Sequence, residues 1–153
     1  MKPSLHFFAP LLVLLLISPL AVHAEPRCNT PEGAATVNSE VEAELQTIKE
    51  KQRNTEAGID KDLDAKAEEK NWSKEQRSAF VVGILKSAEF RAFEQEKKPY
   101  TEEITALMTA PLDRSDTKAS CLSVSKLQAI VRKIDAINVR QYGYLSAQVK
   151  AAK

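Results

Sequence analysis

The chain has 153 residues, with 22 Lys and Arg against 21 Asp and Glu, two histidines and two cysteines. A formal charge of +1 gives it no electrostatic reach for nucleic acid or an anionic membrane surface. Both histidines, His6 and His23, fall within residues 1–24, so the rest of the chain has no imidazole for acid–base catalysis, for Ser-His or Cys-His nucleophiles, or for His-ligated zinc or haem.

Lys2, the apolar run Leu11–Ile17 and the small residues Val22 and Ala24 form a secretory signal peptide pattern with cleavage after Ala24. Removing 24 of the 153 residues leaves 129, a length for one domain with a modest core, and removing Lys2 leaves 21 basic against 21 acidic residues. Arg27 precedes Cys28 where a lipid anchor needs a small residue, and no later stretch is apolar enough to span a bilayer. The expected location is therefore periplasmic or secreted, with no membrane insertion of the mature chain. In such an oxidising compartment, Cys28 and Cys121 are expected to form a disulfide.

Residues 25–38, with Pro26, Pro31 and Gly33, read as an irregular leader, and residues 39–153 as a single helical domain. Ser39 and Glu42 make a capping box ahead of Val41, Leu45 and Ile48, predicting a helix from about Glu40 to Lys70 that is weakest at Asn54 and Gly58. After a turn at Asn71-Trp72, a second capping box, Ser73 with Gln76, opens a helix expected to reach Lys97 and end at Pro99. Phe80, Val81, Ile84, Leu85, Ala88 and Ala92 share one face of it, while Val82, Phe90 and Phe93 lie roughly opposite, which predicts a central place in a bundle. A short helix is expected over Thr101–Ala110, then a loop over Asp113–Ser120. The spacing of Leu127, Ile130, Val131, Ile134, Ile137, Leu145 and Val149 predicts a long last helix from Val124. The fold class is all-α: a small bundle of about four helices, one short, stapled by one disulfide.

Three short patterns have chemical readings. Ser123-Val124-Ser125-Lys126 has the S-x-x-K spacing of penicillin-recognising enzymes, but no K-T-G follows, and helix capping accounts for it. Asp60, Asp62 and Asp64 alternate as in a calcium loop, yet Ala65 and Asn71 stand where a glycine and a bidentate glutamate are needed, so a solvated helix face is expected and no metal. Asn71-Trp72-Ser73 is an N-glycosylation acceptor pattern, meaningful only in a eukaryotic secretory pathway.

Trp72-Ser73-Lys74-Glu75-Gln76 resembles the L-T-x-x-Q motif of the Spy and CpxP family of periplasmic helical chaperones and stress sensors, with Trp72 in place of leucine and Ser73 in place of threonine. Leu122–Lys126 is a poorer second copy without the glutamine. A capping box generates the same pattern, so what the resemblance implies is limited to a chaperone-like binding role.

These readings point to an exported, non-enzymatic helical protein that binds a protein or peptide, as an inhibitor, immunity factor, chaperone or assembly adaptor, with no cofactor. Self-association into a homodimer is compatible with that. The residues expected to meet a partner are Phe90, Phe93, Tyr142 and Tyr144; Gly143, between the tyrosines, is costly in a helix unless another backbone or a ligand comes close. The alternatives are a structural or envelope-stress component without a tight partner, and a small hydrolase using carboxylates or the Ser-Lys pair.

Overall fold

The computed structural model describes residues 24–111 and 115–152; the expected signal sequence, up to residue 23, lies outside the described residues. A single-turn helix, α1 (Ala24–Arg27), is followed by four longer ones: α2 (Pro31–Glu69), α3 (Lys74–Leu85), α4 (Ala88–Thr109) and α5 (Thr117–Ala151). The protein is an all-α bundle, with no strand among the described residues, and Cys28 and Cys121 are joined by a disulfide with their Cα atoms 5.6 Å apart.

The leader is not irregular. Thr30 caps α2, its hydroxyl accepting from the Gly33 N–H at 3.1 Å, and Pro31 begins the helix where its missing N–H costs nothing. Gly33 is required there, since a Cβ at that position would come within 2.0 Å of the Arg27 carbonyl oxygen. The helix thus starts upstream of the Ser39 box and runs unbroken for 39 residues, about 58 Å, through Asn54 and Gly58. It ends in a Schellman arrangement: Trp72 N–H bonds the Ala67 carbonyl at 2.9 Å, Asn71 N–H bonds that of Glu68 at 3.1 Å, and Asn71 adopts φ 52°.

Ser73 and Gln76 form the expected reciprocal capping box, but the helix they open stops at Leu85. Ser87 ends it by capping a new one, accepting from the Phe90 N–H at 3.1 Å. Gly83 in the last turn of α3 lowers the cost of stopping there. Pro99 does not end α4, which continues to Thr109 and absorbs the separate short helix expected at 101–110. The missing proline N–H leaves only the Gln95 carbonyl without its intrahelical partner; Gln95 and Pro99 are both exposed, so water reaches that carbonyl. The loop expected up to Ser120 also ends sooner; Asp113 lies outside the described residues, and Asp116 caps α5 by accepting from the Ala119 N–H at 2.9 Å.

Helices α2 and α5 run parallel. Their cross-links rise together, from Cys28–Cys121 through Glu44–Arg132 and Gln52–Asp135 to Glu56–Tyr142. Helix α4 returns antiparallel to α5, joined by Ser87–Tyr144, Lys97–Gln141 and Tyr100–Lys133. The central element is therefore α5, which holds most of the packing to both neighbours, and not the helix bearing Phe80 and Phe93. The break at Lys86-Ser87 explains the difference, because it divides the two apolar faces read on one helix between α3 and α4.

Apolar burial runs the length of the α2–α5 pair, with Ile130 and Ile137 of α5 buried between its two ends. At one end Cys28, Ala34, Val37, Val41 and Cys121 are buried, with Leu45, Leu122 and Val124 packed against them. At the other, α3 sets Ile84 over the region of Leu63, Ala67 and Val149. Each fully buried valine or leucine stabilises the fold by about 1.5–3 kcal/mol. Helix α4 contains no buried residue, so its attachment to α5 rests on aromatic and polar contacts. No helix among the described residues is long and apolar enough to cross a membrane.

Candidate functional site

Tyr144 lies two positions beyond Tyr142, about 200° around a helix, and α5 uses that rotation to face both neighbours. The Tyr142 hydroxyl donates to Glu56 on α2 at 2.5 Å, and the Tyr144 hydroxyl donates to the Ser87 Oγ at the start of α4 at 3.0 Å. Burial, reinforced by the Glu56 carboxylate and more weakly by that of Asp135, pushes the Tyr142 phenol up to about 12. Phe93 meets Tyr144, ring centroids 6.2 Å apart, with the Arg140 guanidinium 5.8 Å from the Phe93 ring. Phe90 and Phe93 are half-buried. The four aromatic residues expected to meet a partner are therefore not one surface: Phe93 and Tyr144 belong to the α4–α5 seam, Phe90 begins α4, and Tyr142 belongs to the α2–α5 seam.

Polar contacts dominate the α4–α5 seam. Buried Gln141 accepts from Lys97 Nζ at 2.9 Å and donates to Glu94 at 2.6 Å, and Lys97 also pairs with Glu94 at 2.7 Å. The Lys97 ammonium, with Gln141, holds the Glu94 carboxyl below the usual carboxylate range. Arg140 pairs with Glu96, and Lys133 stands 5.2 Å from the Tyr100 ring centroid. Nearer the disulfide, Glu44 on α2 receives both Arg132 Nε and Nη2, at 2.5 and 2.6 Å, along with Gln128. That fork holds the Glu44 carboxyl below its ordinary range.

Past Gln52, where Nε2 donates to Asp135 at 3.2 Å, the α2–α5 seam opens into a groove of about 420 Å³. Its walls are α2 and α5 alone: Lys51, Thr55, Gly58 and Ile59 on one side, Val139, Tyr142 and Gly143 on the other. Gly58 and Gly143 are helix-interior glycines around which an added Cβ would meet nothing within 4 Å, so the chain's own packing does not require them. Val139 is 47% exposed. A second hollow of about 400 Å³, roofed by Arg77, Val81, Ile84 and Leu85 of α3, shares Ile59 and Tyr142 with the first.

Gly58 and Gly143 each stood out in the sequence as a glycine inside a predicted helix; their pairing across one groove, and Val139 beside them, did not. Only the parallel pairing of α2 with α5 brings those positions together.

The aspartate and Ser-Lys patterns resolve into helix, and Asn71-Trp72-Ser73 forms the turn between α2 and α3. Asp60, Asp62 and Asp64 lie on unbroken α2, and Asp64 pairs with Arg77 at 2.7 Å. Among the described residues, no group of three His, Cys, Asp or Glu side chains is arranged to hold a metal ion. Ser123 and Lys126 are interior to α5, so they do not cap it; that position belongs to Asp116. In Trp72–Gln76, the capping box fixes Ser73 and Gln76, while Trp72 packs on Phe80 with centroids 4.9 Å apart. Comparison of the chain with protein-family models, with curated proteins and with solved structures gives no match.

Proposed function

We propose that this is an exported, non-enzymatic binding protein whose α2–α5 groove receives a helical segment of a protein partner. The observation that carries the reading is the pairing of Gly58 and Gly143 across one open groove with exposed Val139 between them. A helix-interior glycine costs about 1 kcal/mol relative to alanine, so two of them facing the same empty space fit a surface that another backbone approaches closely. Helix-in-groove recognition uses this geometry, with an apolar floor and polar residues on the rim. Export is supported by the signal pattern of residues 1–24 and by the disulfide, which forms in oxidising compartments.

Affinity capture from the native secretory fraction tests the reading, with wild type compared against Gly143→Leu, which places a side chain in the groove from a position where an added Cβ meets nothing within 4 Å. A stoichiometric protein held by the first and lost from the second, with the variant melting no lower than wild type, is the expected result. Equal capture by both would remove the groove from the function, and many unfolded clients held without stoichiometry would replace a dedicated binder with a chaperone.

A further inference from the structure

The groove is complementary to itself, and we infer that its occupant is the same groove of a second copy of this chain, the two stacked face to face about a two-fold axis that crosses the helices. This rests on the groove being a docking surface and names its partner. Four charged residues line the groove: Lys51 and Asp135 towards one end, Lys61 and Asp62 towards the other. Lys61 and Asp62 are exposed and make no ion pair among the described residues, and Lys51 reaches Asp135 only at 3.9 Å. An axis midway along the groove reverses these ends, setting Lys51 against Asp62 of the second copy and Lys61 against its Asp135. Both cations then meet anions.

The same axis satisfies the apolar positions. Lys51 and Asp62 centre between Glu56 and Ala57, and so do Thr55 and Gly58. On α5, Val139 and Gly143 centre on Gln141. The hydrogen bonds Gln52–Asp135 and Glu56–Tyr142 place α5 residues 83 to 86 positions beyond their α2 neighbours, so Gln141 stands at the height of that common centre. One rotation thus pairs Lys51 with Asp62, sets Thr55 at the level of Gly58, and lays the exposed Val139 over the open space at Gly143. An isologous interface requires this reciprocity, in which one residue meets a second and the second meets the first.

Sedimentation equilibrium of the secreted chain, over a wide concentration range, should return the dimer mass. V139D and G143L should each weaken the dimer about tenfold or more, and G143L should do so without lowering the melting temperature of the dilute monomer. Charge reversal is the sharper measure. K51D faces two like-charged acid pairs in its own dimer and D62K two like-charged basic pairs, so each should be monomeric alone. An equimolar mixture should re-form a dimer containing one chain of each, because Asp then meets Lys at both contacts. A monomer at every concentration, a dimer indifferent to these four changes, or a mixture that fails to reassociate would overturn the inference. If the wild-type chain is a monomer yet Gly143→Leu still loses a captured protein, the second copy is wrong and the docking groove stands.

Discussion

Tyr142 on α5 and Glu56 on α2 share a hydrogen bond of 2.5 Å between the two parallel helices, midway along the groove. The phenol is raised to about 12, chiefly by burial and then by the Glu56 carboxylate. A raised phenol favours the neutral form in the folded state. Its contribution is therefore fully present below the ordinary tyrosine value of about 10 and is lost as pH rises towards 12. Urea unfolding across this range, with tyrosinate absorbance on the same samples, should show stability falling and one tyrosine ionising late. Tyr142→Phe should flatten that fall and cost about 1 kcal/mol at neutral pH.

Nearer the disulfide, on the same seam, the sign reverses. Glu44 is held below its ordinary range by Arg132 first and by Gln128 as well. The stability it contributes is fully present above an unfolded carboxylate value of about 4.3 and is lost as pH falls through the lower folded value. Glu44→Gln should shallow the acid limb of a stability-against-pH curve. Arg132→Ala should do the same, and identical limbs in all three proteins would remove this fork from the acid response.

The glycines divide by what surrounds them. Gly58, Gly83 and Gly143 are helical and open, so alanine at each should stabilise the fold by about 0.5–1 kcal/mol. Gly33→Ala should destabilise instead, since its new methyl would meet the Arg27 backbone. Denaturant melts of the four variants check the order. Partner titrations then separate Gly83, which lies outside the groove, from Gly58 and Gly143.

Cys28 and Cys121 are 2% and 0% exposed, so the bridge should resist reductant until the chain unfolds. Its loop spans a sequence separation of 93. In the chain-entropy treatment, closing a loop of that size stabilises by about 4 to 5 kcal/mol at most. Replacing both cysteines by serine should lower the urea midpoint accordingly, and thiol titration of the denatured wild type should find no free thiol.

Phe93 gives a smaller effect than a core phenylalanine. It is half-buried, in contact with Tyr144 and beneath Arg140. Phe93→Ala should cost about 1–2 kcal/mol, below the 3–5 kcal/mol typical of full burial. A larger loss in thermal melts would mean that α4 is held mainly by this one ring.

Helix-forming periodicity and the Ser73–Gln76 box made the all-α class and the α3 start legible, and two cysteines following a signal-peptide pattern made the disulfide legible. Local signals for the missed boundaries were also present. Thr30-Pro31-Glu32 is a cap, a first-turn proline and a first-turn acid, and Ser87 precedes Glu89 in the same way. Pro99 misled because a proline's cost depends on whether the carbonyl it orphans meets water, which a sequence does not display. The groove was invisible for a different reason: Gly58 and Gly143 become neighbours only through the parallel pairing of two helices separated by α3 and α4.

The sulfur bridge also decides how the molecule transmits tension. A pull applied between the two ends of the chain passes from Cys28 straight to Cys121 and along α5, by-passing the closed loop that contains α2, α3 and α4. Among the described residues, α1 and the part of α5 beyond Cys121 lie in series with the load. If the protein is tethered on either side of the bridge, stretching would peel α5 from its neighbours while the loop, with its α2 half of the groove, remained unstrained, and the residues between Cys28 and Cys121 would add nothing to the extension reached before the backbone went taut.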